Sequence, residues 1–541
     1  MKKRIRFIAG VMAMMLTLGG CGSTANTTNK KETTQTTSVQ TQTTQDNTDA
    51  QKDTGEGKEL DVLRIGLAAL PTQLDPDRSI GIASIKLFYN IFDTLLFTDK
   101  EGSITGQLAE SWEWQDDTTL NVKIRDGVTF QNGEECTADD VKFTFDRILS
   151  GYGDGTIAVL YETLDSVEKI DDLTVQFKLK KPDAAFEQRL GSIWGASIVP
   201  KDYIEEIGDE AFQTAPIGTG PYKLTQYSPE KYVLERYDGF WGDKPAAKKI
   251  EFISYPEASA RMTALITGEV DIINDVPSDA VDTINATSGV SVVGSSIKNI
   301  HIYVFNTKNE DSIMSNQKFR QALTMAIDRQ TLVDTLWSEY AKVPNGHQFE
   351  SYGDLYIEDY PGVQYDPEKA RELVKESGYD GEEVISIEMA DGYYTNGNQA
   401  GEAIVSMFAD IGVKAEVVYT DKFTFSADIR AWSSASRFDN PLGALWLLFG
   451  TGSAPANPEK GSWTPTDEFV AAGNTLIDSK DIEEQRQAAR TLMEVFDTYC
   501  PGTYLYQAED LYGIRDGLEW DMTYCENQIM PFRADDLKVV E

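Results

Sequence analysis

The residue best placed for covalent chemistry is Cys21. Lys2, Lys3, Arg4 and Arg6 precede an apolar run from Phe7 to Leu18, and Gly19, Gly20 and Cys21 follow. The run is too short for a permanent membrane-spanning helix and has the layout of a secretion signal. The small residues fit the narrow subsite of a signal peptidase. A cysteine then left at the first mature position offers a thiol that bacterial lipoprotein maturation alkylates with diacylglycerol. Several acyl chains on one residue would hold the chain stably, where one alone binds marginally. Catalytic spacings are missing: there is no HExxH, no G-x-S-x-G elbow and no Cys–His pair in a recognisable context. His301 and His347 are the only histidines and lack i, i+4 spacing, so a bare metal ion is not an expected ligand. His301 alternates within a strand pattern and reads as structural; His347 lies in a Pro-Asn-Gly loop. Cys136, Cys500 and Cys525 remain after lipidation, an odd number, with no metal-site spacing. Cys500 and Cys525 are the pair that could bridge, but spacing alone fixes no geometry.

Composition narrows the partners. The 541 residues exceed one ordinary domain, and 41% hydrophobic with 25% charged residues is a globular balance. A formal net charge of −39 argues against nucleic acid and against attraction of an acidic solute by the whole field. It suits solubility at a cell surface, with a preference for cationic ligands as the other reading. Thr24 to Asp53 is rich in Thr, Gln, Asn, Ser and Asp and has too few apolar side chains to offset ordering entropy, so it reads as a disordered tether.

The elements that must position any site follow. Leu63–Leu67 reads as a strand, and Ile82 to Leu96 has helical apolar spacing. In Leu108 to Leu149, Leu120, Val122 and Ile124 alternate with polar residues as in a half-buried strand. Asp126-Gly127 and Asn132-Gly133 are turns. Thr137 with Asp140 resembles a capping box, opening a helix through Val141, Phe145 and Ile148. Further strands are predicted at 173–180, 222–226, 250–255, 270–273, 301–307, 415–419 and 503–506. Helices are predicted at 258–267, 319–337, 367–377, 402–411 and 482–498. The 319–337 helix is read as one continuous piece, with Leu323, Ile327 and Leu336 on one side. Two crossings, near 301–306 and 503–511, would form a two-stranded hinge. No internal repeat is visible.

The order "LAESWEW", "DGVTFQNGEECTADDVKFTFDRI", "PIGTGPYKL", "YDGFWGDK" and "FRQALTMAIDR" resembles the family 5 extracytoplasmic solute-binding proteins, receptor subunits of ABC importers for oligopeptides, dipeptides and nickel chelates. The resemblance covers nearly all of residues 60–535. It implies an α/β fold: a two-lobed periplasmic-binding-protein-like clamp (type II, cluster C) with an extra small α+β subdomain in the first lobe. The implied boundaries are a lipoprotein signal peptide at 1–20, a tether at 21–58, lobe I at 59–105, 215–302 and 510–541, the small subdomain at 106–214, and lobe III at 303–509. The implied activity is capture of an extracytoplasmic solute, a peptide in the first instance, and its delivery to ABC permease subunits. This needs no enzyme chemistry and no cofactor. The chain would act as a monomer, lipid-anchored on the outer face of the cell membrane. The alternatives are an oligosaccharide or metal chelate in the same clamp, a sensor role, or a surface hydrolase using paired carboxylates.

The resemblance also nominates site residues. Peptide-binding members hold the ligand's amine with an aspartate three positions after a tryptophan and four before a proline. Here Ala435 stands three after Trp432, and Arg437 four before Pro441. The amine anchor is therefore missing or displaced to Asp439. Arg437 is suited instead to a carboxylate in a bidentate bond. Trp194, in GSIWGAS, falls where the family places a pocket wall. Trp432, and Ser84 in GIAS, complete the candidate set.

Overall fold

The computed structural model describes residues 58–78, 81–152, 157–421 and 424–540; Cys21 and the tether lie outside the described residues. An eleven-stranded sheet runs through the body. From one edge its main path is Lys414–Tyr419, Val384–Met389, Ile429–Ala435, Val290–Phe305, Gly502–Arg515, Ile272–Ile273, Leu63–Leu67, Lys249–Ser254, Lys231–Arg236 and Tyr222–Tyr227. The two long central strands pair antiparallel from Val290↔Arg515 to Val304↔Gly502. They join two half-sheets, each carrying helices, so the fold is a two-lobed α/β clamp. The hinge strands are thus much longer than the segments predicted. Long stretches of both are buried without alternation, as expected of strands covered on two faces. Register shifts fall between Ser296 and Ile302, where the outgoing strand bulges.

A separate four-stranded antiparallel sheet contains Ala109–Asp116, Thr119–Ile124, Thr174–Leu179 and Leu164–Asp171. Leu120, Val122, Phe145 and Phe177 pack in its core. The capping box is present: Asp140 Oδ2 accepts from the Thr137 N–H at 2.8 Å, starting the helix Ala138–Leu149.

The chain's return from this small sheet is locked by Gln131. Its Nε2 donates to the carbonyls of Ile91, Gly220 and Tyr222 at 2.8, 3.0 and 2.8 Å, and its Oε1 accepts from the Gly218 N–H at 2.9 Å. Gly218 is required there, because a Cβ would stand 2.3 Å from the Ile91 carbonyl oxygen. The two quoted motifs FQNG and PIGTGPY therefore meet as one joint.

The helix predicted at 319–337 is two helices, Gln317–Ala326 and Arg329–Leu336. Ile327 is extended, and the Asp328 carboxylate accepts from Thr331 N–H at 3.0 Å as a fresh N-cap. Arg329 then turns inward to donate to the Tyr504 carbonyl at 2.8 Å and Thr503 Oγ1 at 2.7 Å. This tertiary anchoring overrides the apolar spacing. The helix predicted at 402–411 begins earlier, at Gly397. Cys136, Cys500 and Cys525 are all free and buried, so Cys500 and Cys525 do not bridge. Among the described residues no helix is long and apolar enough to cross a membrane.

Replacing Gln131 with methionine keeps its bulk but removes the side-chain partner of the Gly220 and Tyr222 carbonyls and of the Gly218 N–H, while the Ile91 carbonyl still accepts from the Gly220 N–H at 2.9 Å. Urea unfolding should show a loss of about 3 kcal/mol, since each buried unsatisfied group costs about 1–3 kcal/mol.

Candidate functional site

The carboxyl ends of parallel strands from both half-sheets face one crevice. Ala68 and Ala69 follow Leu63–Leu67, Pro256 follows Lys249–Ser254, Asn274–Val276 follow Ile272–Ile273, and Gly392–Thr395 follow Val384–Met389. This is where open α/β sheets bind ligands. The crevice holds a cavity of about 410 Å³. Its floor is the hinge: Ile297, Asn299 and His301 from the outgoing strand, and Ala508–Leu511 from the returning one. The bulge thus supplies lining residues as well as bend.

Four charged residues line it, Lys86, Asp275, Glu509 and Asp510, of which Asp275 and Asp510 turn their carboxylates to Lys86. Burial holds the carboxyls of Glu509 and Asp510 above the usual range, against the pull of Lys342 on the first and Lys86 on the second. Burial works against the Lys86 ammonium, but Asp275 and Asp510 outweigh it and keep its pKa raised. The His301 ring stacks on Tyr506 and meets the edge of Tyr394, both at 4.8 Å between centroids. Burial lowers its pKa to about 4, so it is neutral at physiological pH.

A second, smaller cavity of about 30 Å³ brings Trp194, Arg437 and Asp439 together with Gln188, Asn527 and Ile529. The Arg437 guanidinium lies over the Trp194 ring, 3.7 Å from its centroid. Its Nη1 is enclosed and has no hydrogen-bond partner, nor does Trp194 Nε1. Among the described residues no carboxylate pairs with Arg437, and burial pushes its pKa down to about 10. Its backbone is fixed by Ser192 Oγ donating to its carbonyl at 2.6 Å and by its N–H donating to Gly443 O at 2.9 Å. The result is a charged fork without a counter-ion of its own. Asp439 is differently placed: its carboxylate accepts from Lys298 at 2.8 Å and from Ser351 Oγ at 2.8 Å. It is already neutralised from within.

The structure thus groups three of the predicted residues and separates two. Trp432 lies outside the larger cavity, packed against Arg430 at 4.0 Å and Phe425 at 5.8 Å, beside a narrow space shared with His301, Tyr394 and Tyr506. Ser84 is buried and donates to the Gln73 carbonyl at 2.9 Å, while its neighbours Ile82 and Ala83 line the cavity. Sequence reasoning missed Lys86, Asp275, Glu509, Asp510 and Asn299. For all but Lys86, which lies in the helix Ile82–Ile91, the available signal was their place beside, or at, the predicted strands and crossings. Among the described residues no cluster of three metal-ligating side chains occurs.

Residues 103–456 match the model of the bacterial extracellular solute-binding proteins, family 5 Middle. The chain belongs to this family. As a family 5 protein it is a transport binding protein and not an enzyme. It is 26% identical over 511 residues to the oligopeptide-binding protein AppA of Bacillus subtilis (strain 168), covering 87% of this chain and 91% of that one. Its fold is similar to AgaA from A. tumefaciens R10 in complex with agropinic acid, with a TM-score of 0.78 and 21% identity over 89% of this chain and 99% of that one. It is similar in the same degree to DppA from Helicobacter pylori in complex with the peptide STSA, with a TM-score of 0.79 and 21% identity over 90% and 99%.

His347 is buried with neither ring nitrogen hydrogen-bonded, and burial lowers its pKa to about 3. An unfolded histidine takes up its proton near pH 6.5, so the unfolded state binds the extra proton first as pH falls. The contribution of a neutral His347 is complete above pH 6.5 and is lost progressively toward pH 3. Replacing His347 with leucine should shrink the stability lost between pH 7 and 4.5, read by urea unfolding, by about 2–3 kcal/mol.

Proposed function

We propose that this family 5 protein is the receptor of an ABC importer, tethered by a lipid on Cys21 to the outer face of the cell membrane, and that it captures a peptide and passes it to a permease. We assign lobe I to residues 59–105, 215–302 and 510–541, the small subdomain to 106–214, and lobe III to 303–509, working as a monomer. The observation that carries the capture reading is the cavity of about 410 Å³ between the half-sheets. It lies within the range of about 300–1,000 Å³ usual for small-ligand sites. A solute touching both lobes and the hinge floor stabilises the closed state over the open one, which ligand-driven closure requires.

The peptide reading draws support from AppA and DppA, whose names and bound partner are peptidic. The Arg437–Trp194 pair supports it further. A buried guanidinium without a counter-ion is unfavourable in the free protein, and a terminal carboxylate answers it with two parallel hydrogen bonds. In this reading Arg437 and Trp194 contact ligand, Asp439 holds Lys298 in place, and Trp432 and Ser84 shape the walls.

Mass spectrometry of what leaves the purified protein on denaturation tests the proposal. A peptide is expected; a sugar, or a solute chemically changed during incubation, rejects it. Arg437→Met should weaken binding of a carboxylate-bearing ligand by roughly ten- to hundredfold in calorimetry, the loss of a charged hydrogen-bond pair. The ligand-free variant should melt no lower than the parent. A melting point several degrees lower would make Arg437 a structural cation.

A further inference from the structure

We propose that the acidic wall of the larger cavity, formed by Asp275 and Asp510, binds a primary ammonium group of the ligand, while Lys86 donates to a carbonyl or carboxylate oxygen beside it. The inference rests on the capture reading above and names the chemistry of one end of the solute.

Two carboxylates, Asp275 and Asp510, flank the one ammonium of Lys86, and the histidine in the lining, His301, is neutral. A cation from outside restores the balance. The carboxylates come from separate elements: Asp275 from the turn after Ile272–Ile273 and Asp510 from the returning hinge strand. Asp275 has φ of 49°, a left-handed conformation that is uncommon outside glycine. Its backbone is clamped in that state by Arg261 Nη2, which donates to its carbonyl at 3.0 Å, and its side chain is steadied by Asn274 Nδ2 at 2.7 Å. Such unusual geometry is held where the surroundings over-determine it, and here it sets a carboxylate at the cavity wall. Asp510 accepts from the Tyr512 hydroxyl at 3.3 Å, a long contact that leaves most of its acceptor capacity free.

Lys86 is the independent observation. It is 5% exposed and lines the cavity. Its Nζ is 3.8 Å from Asp275 and 3.9 Å from Asp510, close enough to attract but beyond hydrogen-bond range. Among the described residues its three donors therefore meet no acceptor, although the side chain is buried. Asn299, 2% exposed and also in the lining, has an Oδ1 without a donor. Unsatisfied acceptors and an unsatisfied donor line the same space. A group with an ammonium next to an oxygen acceptor satisfies both, and a free peptide N-terminus or an α-amino acid head has that form.

The strand beside the floor offers no substitute. Ala435 pairs in register with Asn299 and carries no charge. The segment Asn527–Ile529 lies between the two cavities, with Gln528 lining the larger and its neighbours the smaller. The proposed ammonium end and the Arg437 end are thus adjoining, which fits a short solute charged at both ends.

The test passes a small-molecule pool from a protein hydrolysate over the immobilised chain, half of it untreated and half with its amines acetylated. Retained compounds are identified by mass spectrometry. The expected result is retention of primary-amine compounds from the untreated half and their loss from the acetylated half. Asp510→Asn and Asp275→Asn, each checked for an unchanged melting temperature, should each weaken retention roughly ten- to hundredfold, as for a lost hydrogen bond to a charged group. Asp275, the less enclosed of the two, serves where the Asp510 variant does not fold. Equal retention of acetylated compounds, or unchanged retention by the folded variants, overturns the ammonium site and leaves capture standing. Retention of nothing from either half overturns capture itself and the ammonium site with it.

Discussion

The antiparallel pairing of Val290–Phe305 with Gly502–Arg515 is the constraint on which the rest depends. These strands lie at the centre of the sheet, and the other strands of its main path are built outward from them on one side or the other. Their ladder keeps two half-sheets in one molecule while the loops at the strand ends face each other. Because Asn299, His301, Glu509 and Asp510 lie on the same strands, the floor of the cavity and the hinge are the same backbone. A solute resting on that floor acts on the hinge directly, with no intermediate relay.

The chain carries a net −39, and each of its two cavities contains a cation with unsatisfied donors: Lys86 between Asp275 and Asp510 in one, and Arg437 without a counter-ion in the other. Buried ionic groups lacking hydrogen-bonded counterparts oppose stability. Their presence here places the unfavourable term where a solute can remove it. Three other buried arginines are committed to the scaffold: Arg320 and Arg329 donate to backbone carbonyls, and Arg147 pairs with Asp75 and Asp77. The contrast separates the sites from the framework that carries them.

Local physics was readable in the chain. The capping box at Thr137 and the helices predicted at 258–267 and 367–377 depend on residues a few positions apart, and they stand as expected. The break at Ile327 was not readable, because its cause lies far along the chain: Arg329 reaches Thr503 Oγ1 and the Tyr504 carbonyl on the returning strand. The cavity carboxylates were hidden for a different reason. In a chain with 88 acidic residues, Asp275 and Asp510 have no distinguishing local pattern, and only the sheet topology gathers them. Arg437 stood out because of the departure at Ala435, and Trp194 because it falls where the family places a pocket wall. Ser84 shows the converse, since its hydroxyl donates to its own loop at Gln73 while the residues beside it reach the cavity.

Lys298 gives the clamp a property separate from its solute. It lies on the outgoing hinge strand, and its Nζ holds Asp439 at 2.8 Å from one side and Glu526 at 2.6 Å from the other. In the proposed division these two acids belong to different lobes. In that division the contact of Lys298 with Asp439 is a fastening between lobes made wholly of the protein's own atoms. Being blind to the guest, it adds nothing to discrimination, which rests on how each solute fills the interior.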